Sequence, residues 1–154
     1  MRLEDKVAII TGSGSGIGRA AAGLFAEEGA KVVVADINLE SAHQTVRGIQ
    51  SAGGEAISVE ADVSKEEDSR KIADLTYSEY GKIDILVNNA AAFVFGRVED
   101  TTSEDWDRIF SVNVKGPAFC VKSVIPAMKQ SGSGAIVNIG SISSMIAQPD
   151  YVPY

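Results

Sequence analysis

The sequence predicts an α/β fold with a doubly wound parallel sheet in the strand order 3-2-1-4-5. Short apolar runs alternate with amphipathic segments, and most runs lack the apolar-polar alternation of a half-exposed strand. Right-handed crossovers through the intervening helices place such strands in one sheet. A ligand is expected at the carboxyl ends of the first and fourth strands, where the strand order reverses. The five runs occupy residues 7–10, 32–35, 56–59, 83–87 and 135–139.

Four helical patterns separate these runs, and each is bounded by a capping or stopping residue. Ser64 and Glu67 predict a capping box at the start of the third pattern, and Leu75 is placed on its buried stripe. The fourth pattern is the longest and extends from about residue 102 to 130. The first pattern is predicted to bury a stripe that consists of Ile17, Ala20, Ala21, Leu24 and Phe25.

Length, charge and cysteine content narrow the class of protein. The 154 residues contain no repeat or linker, so residues 1–154 are predicted to form one domain. With 14 Lys and Arg against 21 Asp and Glu, the net charge of −7 argues against a nucleic-acid partner. No apolar run reaches the roughly 18 residues that span a bilayer. The single cysteine, Cys120, excludes an intrachain disulfide, and we expect a cytoplasmic protein without a membrane partner.

A glycine-rich turn, Thr11-Gly12-Ser13-Gly14-Ser15-Gly16-Ile17-Gly18, joins the first strand to the first helix. Glycine permits positive φ and lets a pyrophosphate approach the backbone. The helix start adds unpaired N–H groups with partial positive charge. A buried strand before the turn and a helix after it favour a dinucleotide site over a flexible loop. The residues predicted to bind the cofactor here are Gly12, Ser15, Gly16, Ile17 and Gly18.

Asp36 ends the second strand, 18 residues after Gly18. A carboxylate at this place accepts hydrogen bonds from the adenosine ribose hydroxyls and repels the 2′-phosphate of NADP. No Arg or Lys occupies positions 12–18 or 36–39 to offset that repulsion. The sequence therefore predicts NAD as the cofactor, and the alternative is a solvated Asp at a strand end.

The spacing Thr-Gly-x-x-x-Gly-Ile-Gly resembles that of the short-chain dehydrogenase/reductase family, whose further motifs follow in order along the whole chain. Asp62-Val63 follows the third strand, where the family contacts adenine. Asn88-Asn89-Ala90-Ala91 follows the fourth strand and resembles the family's Asn-Asn-Ala-Gly, with alanine in place of glycine. The resemblance implies a Rossmann-type NAD-binding domain. The further cofactor-binding residues it implies are Asp36, Ile37, Asp62, Val63, Asn89, Ala90 and Ala91.

Three residues match the family's catalytic positions. Asn113 matches the helix asparagine that anchors a proton-relay water, and Pro117, which has no N–H, frees the Asn113 carbonyl from its usual helical donor. Ser141 matches the serine that holds the substrate oxygen, and Tyr154, 13 residues later, matches the tyrosine that exchanges the proton. The alternatives are a locally satisfied core Asn113, turn chemistry at Ser141 and a frayed terminal Tyr154.

The family's Tyr-x-x-x-Lys motif has no lysine in this chain, because the sequence ends at Tyr154. The family's C-terminal strands and substrate loop are also missing. A free tyrosine has a pKa of about 10, so Tyr154 is expected to stay protonated without the lysine charge. We therefore expect the 154-residue chain to be inactive and its fifth strand to form an open apolar edge.

The resemblance implies an oxidoreductase that moves a hydride between NAD(H) and a secondary alcohol or ketone. The expected partners are this small-molecule substrate and further copies of the chain, as a dimer or tetramer of the complete protein. No residue cluster predicts a metal. The alternatives are a non-catalytic dinucleotide-binding module, a nucleotide sensor and a methyltransferase that uses S-adenosylmethionine.

Overall fold

The computed structural model describes residues 1–146, 148–150 and 154. The strands are β1 (Val7–Thr11), β2 (Lys31–Asp36), β3 (Glu55–Glu60), β4 (Ile85–Asn88) and β5 (Ala135–Asn138). The α-helices are α1 (Gly16–Glu27), α2 (Leu39–Ser51), α3 (Glu66–Tyr80), α4 (Ser103–Phe110) and α5 (Gly116–Ser131). Short 3₁₀ turns cover Val98–Asp100 and Ile142–Ser144, and a π-helical segment covers Ser111–Lys115.

The five strands form one parallel sheet in the order β3-β2-β1-β4-β5, which confirms the predicted fold class. Helices cover both faces of its centre, so the central strands are buried on both sides, as their unbroken apolar runs predict. Ile9 and Leu86 belong to the cluster under α3 and α5, while Ile10 and Val34 belong to the cluster under α1 and α2. The switch between β1 and β4 lies at the centre of the sheet.

The predicted buried stripe of α1 is wrong at three positions, since Ile17 is 70% exposed, Leu24 is 48% exposed and Ala20 is exposed as well. The buried residues of this helix are Gly18, Ala22 and Ala26. They recur every four residues and form a flat face, so the helix axis lies close to the sheet. Leu75 of α3 is also more exposed than predicted, at 36%.

The capping box predicted at Ser64 and Glu67 is absent from the described α3, which begins at Glu66 after Lys65. The Ser64 hydroxyl and amide instead donate to Oδ1 of Asp62, at 2.7 and 3.0 Å. This local turn occupies the side chain that would have capped the helix. The structure does contain a capping box at α4, where Thr102 and Asp105 exchange hydrogen bonds.

The strand β5 lies at the edge of the sheet and pairs with β4 alone among the described strands. All four of its residues are exposed, including Ile136 at 37% and Val137 at 45%. Within the described residues β5 is therefore an exposed edge strand, and the general expectation that strands are covered on both faces does not hold for it. No helix within the described part of the chain is long and apolar enough to cross a membrane.

Asp84 joins β1 to β4 at the amino-terminal edge of the sheet. Its carboxylate accepts a hydrogen bond from the buried Val7 amide at 2.8 Å and lies 3.0 Å from Nζ of Lys82. Asp84→Ala is expected to lower the free energy of unfolding by about 2–3 kcal/mol, because a buried amide loses its acceptor. Urea denaturation measures this loss, and the exposed Asp74→Ala in α3 serves as the control, with a change below about 0.5 kcal/mol. Equal effects of the two substitutions would contradict the assignment.

Candidate functional site

A cavity of about 970 Å³ lies at the carboxyl ends of β1 and β4, where the strand order predicts a ligand. All the predicted site residues except Gly18 and Asn113 line it. Those that line it are Gly12, Ser15, Gly16, Ile17, Asp36, Ile37, Asp62, Val63, Asn89, Ala90, Ala91, Ser141 and Tyr154.

The glycine-rich turn forms one wall of this cavity and closely fits its surroundings. Gly12 and Gly16 have φ of +63° and +53°, which favour glycine. A Cβ atom at Gly18 would lie 2.8 Å from the Cα of Ser13, so Gly18 lets α1 pack closely on the turn instead of lining the cavity. The first amides of α1 have no intrahelical acceptor and can donate to an anion.

Asn89 and Thr11 fix the carboxyl ends of β1 and β4 to each other. The Asn89 side-chain amide donates to the carbonyls of Thr11 and Gly12, at 2.9 and 3.1 Å. The Thr11 hydroxyl accepts from the amides of Asn89 and Ala90, each at 3.1 Å. The Asn89 side chain therefore stabilises the turn. The sequence analysis did not assign a role to Thr11, although its place just before Gly12 is a usable signal.

Asp36 lies at the edge of the cavity with its carboxylate directed at the glycine-rich turn. Oδ2 accepts from the Gly14 amide at 2.8 Å, and Oδ1 accepts from the Asn38 amide at 2.9 Å. A Cβ atom at Gly14 would lie 2.8 Å from Cγ of Asp36, so glycine is needed for this contact. A carboxylate has about four acceptor positions, which leaves capacity for ribose hydroxyls.

Arg19 is a residue of this region that the sequence analysis missed. It lies one position beyond the segment 12–18, which contains no basic residue. Its guanidinium donates through Nη2 to the Gly14 carbonyl and through Nε to Oγ1 of Thr45, at 3.1 Å for the second bond. A positive charge therefore lies on the side of the glycine-rich turn that faces away from the cavity.

Asn113 lies in the π-helical segment between α4 and α5, where one continuous helix was predicted. Pro117 follows four residues later and lacks the donor that would pair the Asn113 carbonyl in an α-helix. The Asn113 side chain exchanges two hydrogen bonds with the backbone of Ala92, at 2.8 and 3.0 Å. Asn113 thus connects the π-helical segment to the loop after β4. Its side-chain amide has both a donor and an acceptor partner within the protein and needs no ligand for them. Phe110, the last residue of α4, is 53% exposed.

Ser141 and Tyr154 line the same cavity beside Phe93. The Ser141 hydroxyl accepts from the Ser143 amide and donates to the Ser143 hydroxyl, both at 3.1 Å, so its expected turn chemistry is present. The ring of Tyr154 contacts that of Phe93, with centroids 4.7 Å apart. Phe93 was not singled out in the sequence, and it adds an apolar ring to the cavity lining next to Tyr154.

Cys120 of α5 is buried in the core, and 3.5 Å separate its sulfur from the Ser69 hydroxyl. Burial raises the pKa of the Cys120 thiol, which therefore stays protonated near neutral pH. The residue packs and does not supply a nucleophile.

The family model for the short chain dehydrogenases matches residues 6–154. The chain belongs to this family. Cyclopentanol dehydrogenase from Comamonas sp. is 37% identical over 153 residues, which cover 99% of this chain and 61% of that relative. The chain spans about 60% of the length of the curated relatives it matches.

Solved structures with bound dinucleotides resemble this chain along its full length. A crystal structure of NAD+-bound xylitol dehydrogenase has a TM-score of 0.95 at 34% identity, covering 100% of this chain and 60% of that one. A metagenomic short-chain oxidoreductase in complex with NADP has a TM-score of 0.94 at 33% identity, covering 100% and 70%. Both dinucleotides occur among these neighbours, so the choice between NAD and NADP depends on residues of this chain.

Proposed function

We propose that the parent protein of this chain is an oxidoreductase that transfers a hydride between NAD(H) and a secondary alcohol or ketone. NAD supplies the hydride acceptor when it is bound, and the chain supplies binding and orientation. The observation that carries the proposal is the cavity at the switch between β1 and β4, with the glycine-rich turn on one wall and Ser141 and Tyr154 on another.

The proposed fit to a dinucleotide depends on close packing of the glycine-rich turn against the loop after β4. At Gly12 a Cβ atom would lie 2.8 Å from the Cα of Ala90, so this part of the turn leaves no room for a side chain. The first amides of α1 would hold the pyrophosphate, and Asp36 would accept from the adenosine ribose. Asp62 and Val63 would lie against adenine, as the family resemblance implies.

In the proposed reaction, Ser141 holds the substrate oxygen and Tyr154 exchanges the proton at that oxygen. Asn113 anchors a relay water through its backbone carbonyl, which Pro117 leaves without a helical donor. The names of two relatives, a cyclopentanol dehydrogenase and a xylitol dehydrogenase, support an alcohol as substrate. Members of the family act on small molecules and are usually oligomeric. Assembly of this protein into a dimer or tetramer and a cytoplasmic location stay predictions.

A calorimetric titration of the wild-type chain tests the proposed cofactor. We expect NAD to bind at least about tenfold more tightly than NADP, because the Asp36 carboxylate repels a 2′-phosphate. S-adenosylmethionine is the control ligand for the methyltransferase alternative. Binding of S-adenosylmethionine without binding of NAD would overturn the proposal.

A chain of 154 residues that ends at Tyr154 is expected to bind NAD without detectable alcohol oxidation. Lowering a tyrosine pKa from about 10 to about 7 takes roughly 4 kcal/mol, which the family's lysine helps to supply. NADH formation from cyclopentanol is the measurement, on protein whose intact mass has been verified. Tyr154→Phe is the matched variant, since it removes only the hydroxyl. Turnover that the Tyr154→Phe change abolishes would contradict the inactive-chain proposal.

A further inference from the structure

The peptide groups of Ser13 and Gly14 are held by side chains from three different elements. Thr45 of α2 donates its hydroxyl to the Ser13 carbonyl at 3.0 Å. Asp36 at the end of β2 accepts from the Gly14 amide at 2.8 Å, and Arg19 of α1 donates to the Gly14 carbonyl. Arg19 also donates to Thr45 at 3.1 Å, so the three side chains converge on one short piece of backbone.

Thr45 is placed for this contact in the interior of α2, where it is 4% exposed. Its hydroxyl also lies 3.2 Å from the Ser41 carbonyl of its own helix, farther than the 3.0 Å to Ser13. A threonine in mid-helix often bonds only to the carbonyl four residues earlier. Here the hydroxyl reaches the glycine-rich turn as well, which links α2 to that turn.

Neither Thr45 nor Arg19 lines the cavity of the proposed dinucleotide, and both face a separate cleft between α1 and α2. Ser13 and Gly14 are likewise absent from the cavity lining, although Gly12, Ser15 and Gly16 belong to it. The carbonyls of Ser13 and Gly14 are thereby occupied on the side away from the cavity.

The direction of these carbonyls matters because a phosphate is an anion. A peptide group that rotates by half a turn exchanges a donor N–H for a carbonyl oxygen, and glycine opposes such rotation only weakly. A carbonyl directed at the pyrophosphate would repel it. Fixing the backbone before binding removes the ordering cost from the binding step.

We infer that Thr45 and Arg19 are positioning residues that hold the glycine-rich turn in its phosphate-binding conformation from behind. This inference rests on the proposed function, because it assumes a dinucleotide in the cavity. It assigns to α2 a role in phosphate binding that needs no contact with the ligand.

The test compares Thr45→Val, which keeps the side-chain shape without the hydroxyl, with Thr45→Ser, which restores the hydroxyl. The Kd values for NAD and ADP-ribose are measured by calorimetry. Thr45→Val is expected to raise the Kd values of both ligands by about 3- to 10-fold, which corresponds to the loss of one hydrogen bond. Thr45→Ser is expected to leave both Kd values within about twofold of the wild-type values. Thr76→Val is the matched control, because Thr76 is equally buried but bonds only to the Ile72 carbonyl of its own helix α3.

Amide hydrogen exchange of the unliganded chain supplies a readout that needs no cofactor. Residues 13–18 are expected to exchange faster in Thr45→Val than in the wild type or in Thr76→Val. Arg19 is a second position for substitution, and it is exposed, so the fold is expected to tolerate a change there. Arg19→Lys keeps the charge but cannot bridge Thr45 and Gly14 together. It is expected to weaken NAD to the same degree as Arg19→Met.

The outcomes separate this inference from the proposed function. If wild-type protein fails to bind NAD, the proposed function is wrong, while the exchange data still decide whether Thr45 orders the turn. If NAD binds and Thr45→Val matches the wild type in both affinity and exchange, the positioning role is wrong. If Arg19→Lys behaves as wild type while Arg19→Met is weak, Arg19 acts by charge alone and its positioning role is overturned.

Discussion

Gly18→Ala is expected to weaken NAD binding by about 10- to 100-fold and to lower the free energy of unfolding by about 1–3 kcal/mol. A Cβ atom at this position would lie 2.8 Å from the Cα of Ser13 and even nearer to the Gly12 carbonyl oxygen. Both atoms belong to the backbone of the glycine-rich turn, so the clash can be relieved only by moving α1 away from that turn. Such a movement displaces the amides that would hold the pyrophosphate.

The matched control for this substitution is Gly23→Ala, in the same helix α1. A Cβ atom at Gly23 meets no atom within 4 Å, so the alanine fits without rearrangement. Gly23→Ala is expected to stabilise the chain by about 0.5–1 kcal/mol through its higher helix propensity and to leave the Kd for NAD within about twofold. Urea denaturation and calorimetry give both quantities. Wild-type NAD affinity in Gly18→Ala would show that close packing at this turn does not support binding.

Asp36→Asn is expected to lower the preference for NAD over NADP by about 100-fold. The neutral amide no longer repels a 2′-phosphate, so NADP is expected to bind about tenfold more tightly. It also loses the charge-assisted hydrogen bonds to the ribose hydroxyls, so NAD is expected to bind about tenfold more weakly. The asparagine oxygen can still accept from the Gly14 amide, while the bond from the Asn38 amide to the second oxygen is lost.

The ratio of the two Kd values at one fixed salt concentration is the measurement for Asp36→Asn. Asp62→Asn is the control: it removes a charge from the same cavity, at the end assigned to adenine, which both cofactors share. It is expected to weaken NAD and NADP equally. An unchanged ratio in Asp36→Asn would exclude Asp36 as the residue that selects the cofactor.

The strand order was predictable because unbroken apolar runs indicate buried parallel strands, and the glycine spacing indicates the turn between the first of them and its helix. The buried face of α1 was not predictable from hydrophobicity, since close packing on the sheet selects Gly18, Ala22 and Ala26 over larger apolar side chains. Leu24 is left exposed on the outer face of the same helix. A small-residue pattern at a spacing of four is the signal that identifies such a face.

Long-range contacts account for what the sequence left open at the site. A satisfied core Asn113 was one of the alternatives, but only the fold shows that its side chain pairs with the backbone of Ala92, 21 residues earlier. The sequence around Thr45 predicts only a helix residue, and its bond to the Ser13 carbonyl is seen only when α2 packs against the glycine-rich turn. Arg19 could have been found by extending the search for basic residues one position along the chain.

A crystal structure of the chain at saturating NAD most directly tests whether the turn after β1 holds a dinucleotide. We expect the pyrophosphate within hydrogen-bond distance of the amides that begin α1, and the adenosine ribose hydroxyls against the Asp36 carboxylate. A cavity that stays empty under these conditions, or an adenosine bound away from Asp36, would contradict the proposed cofactor site.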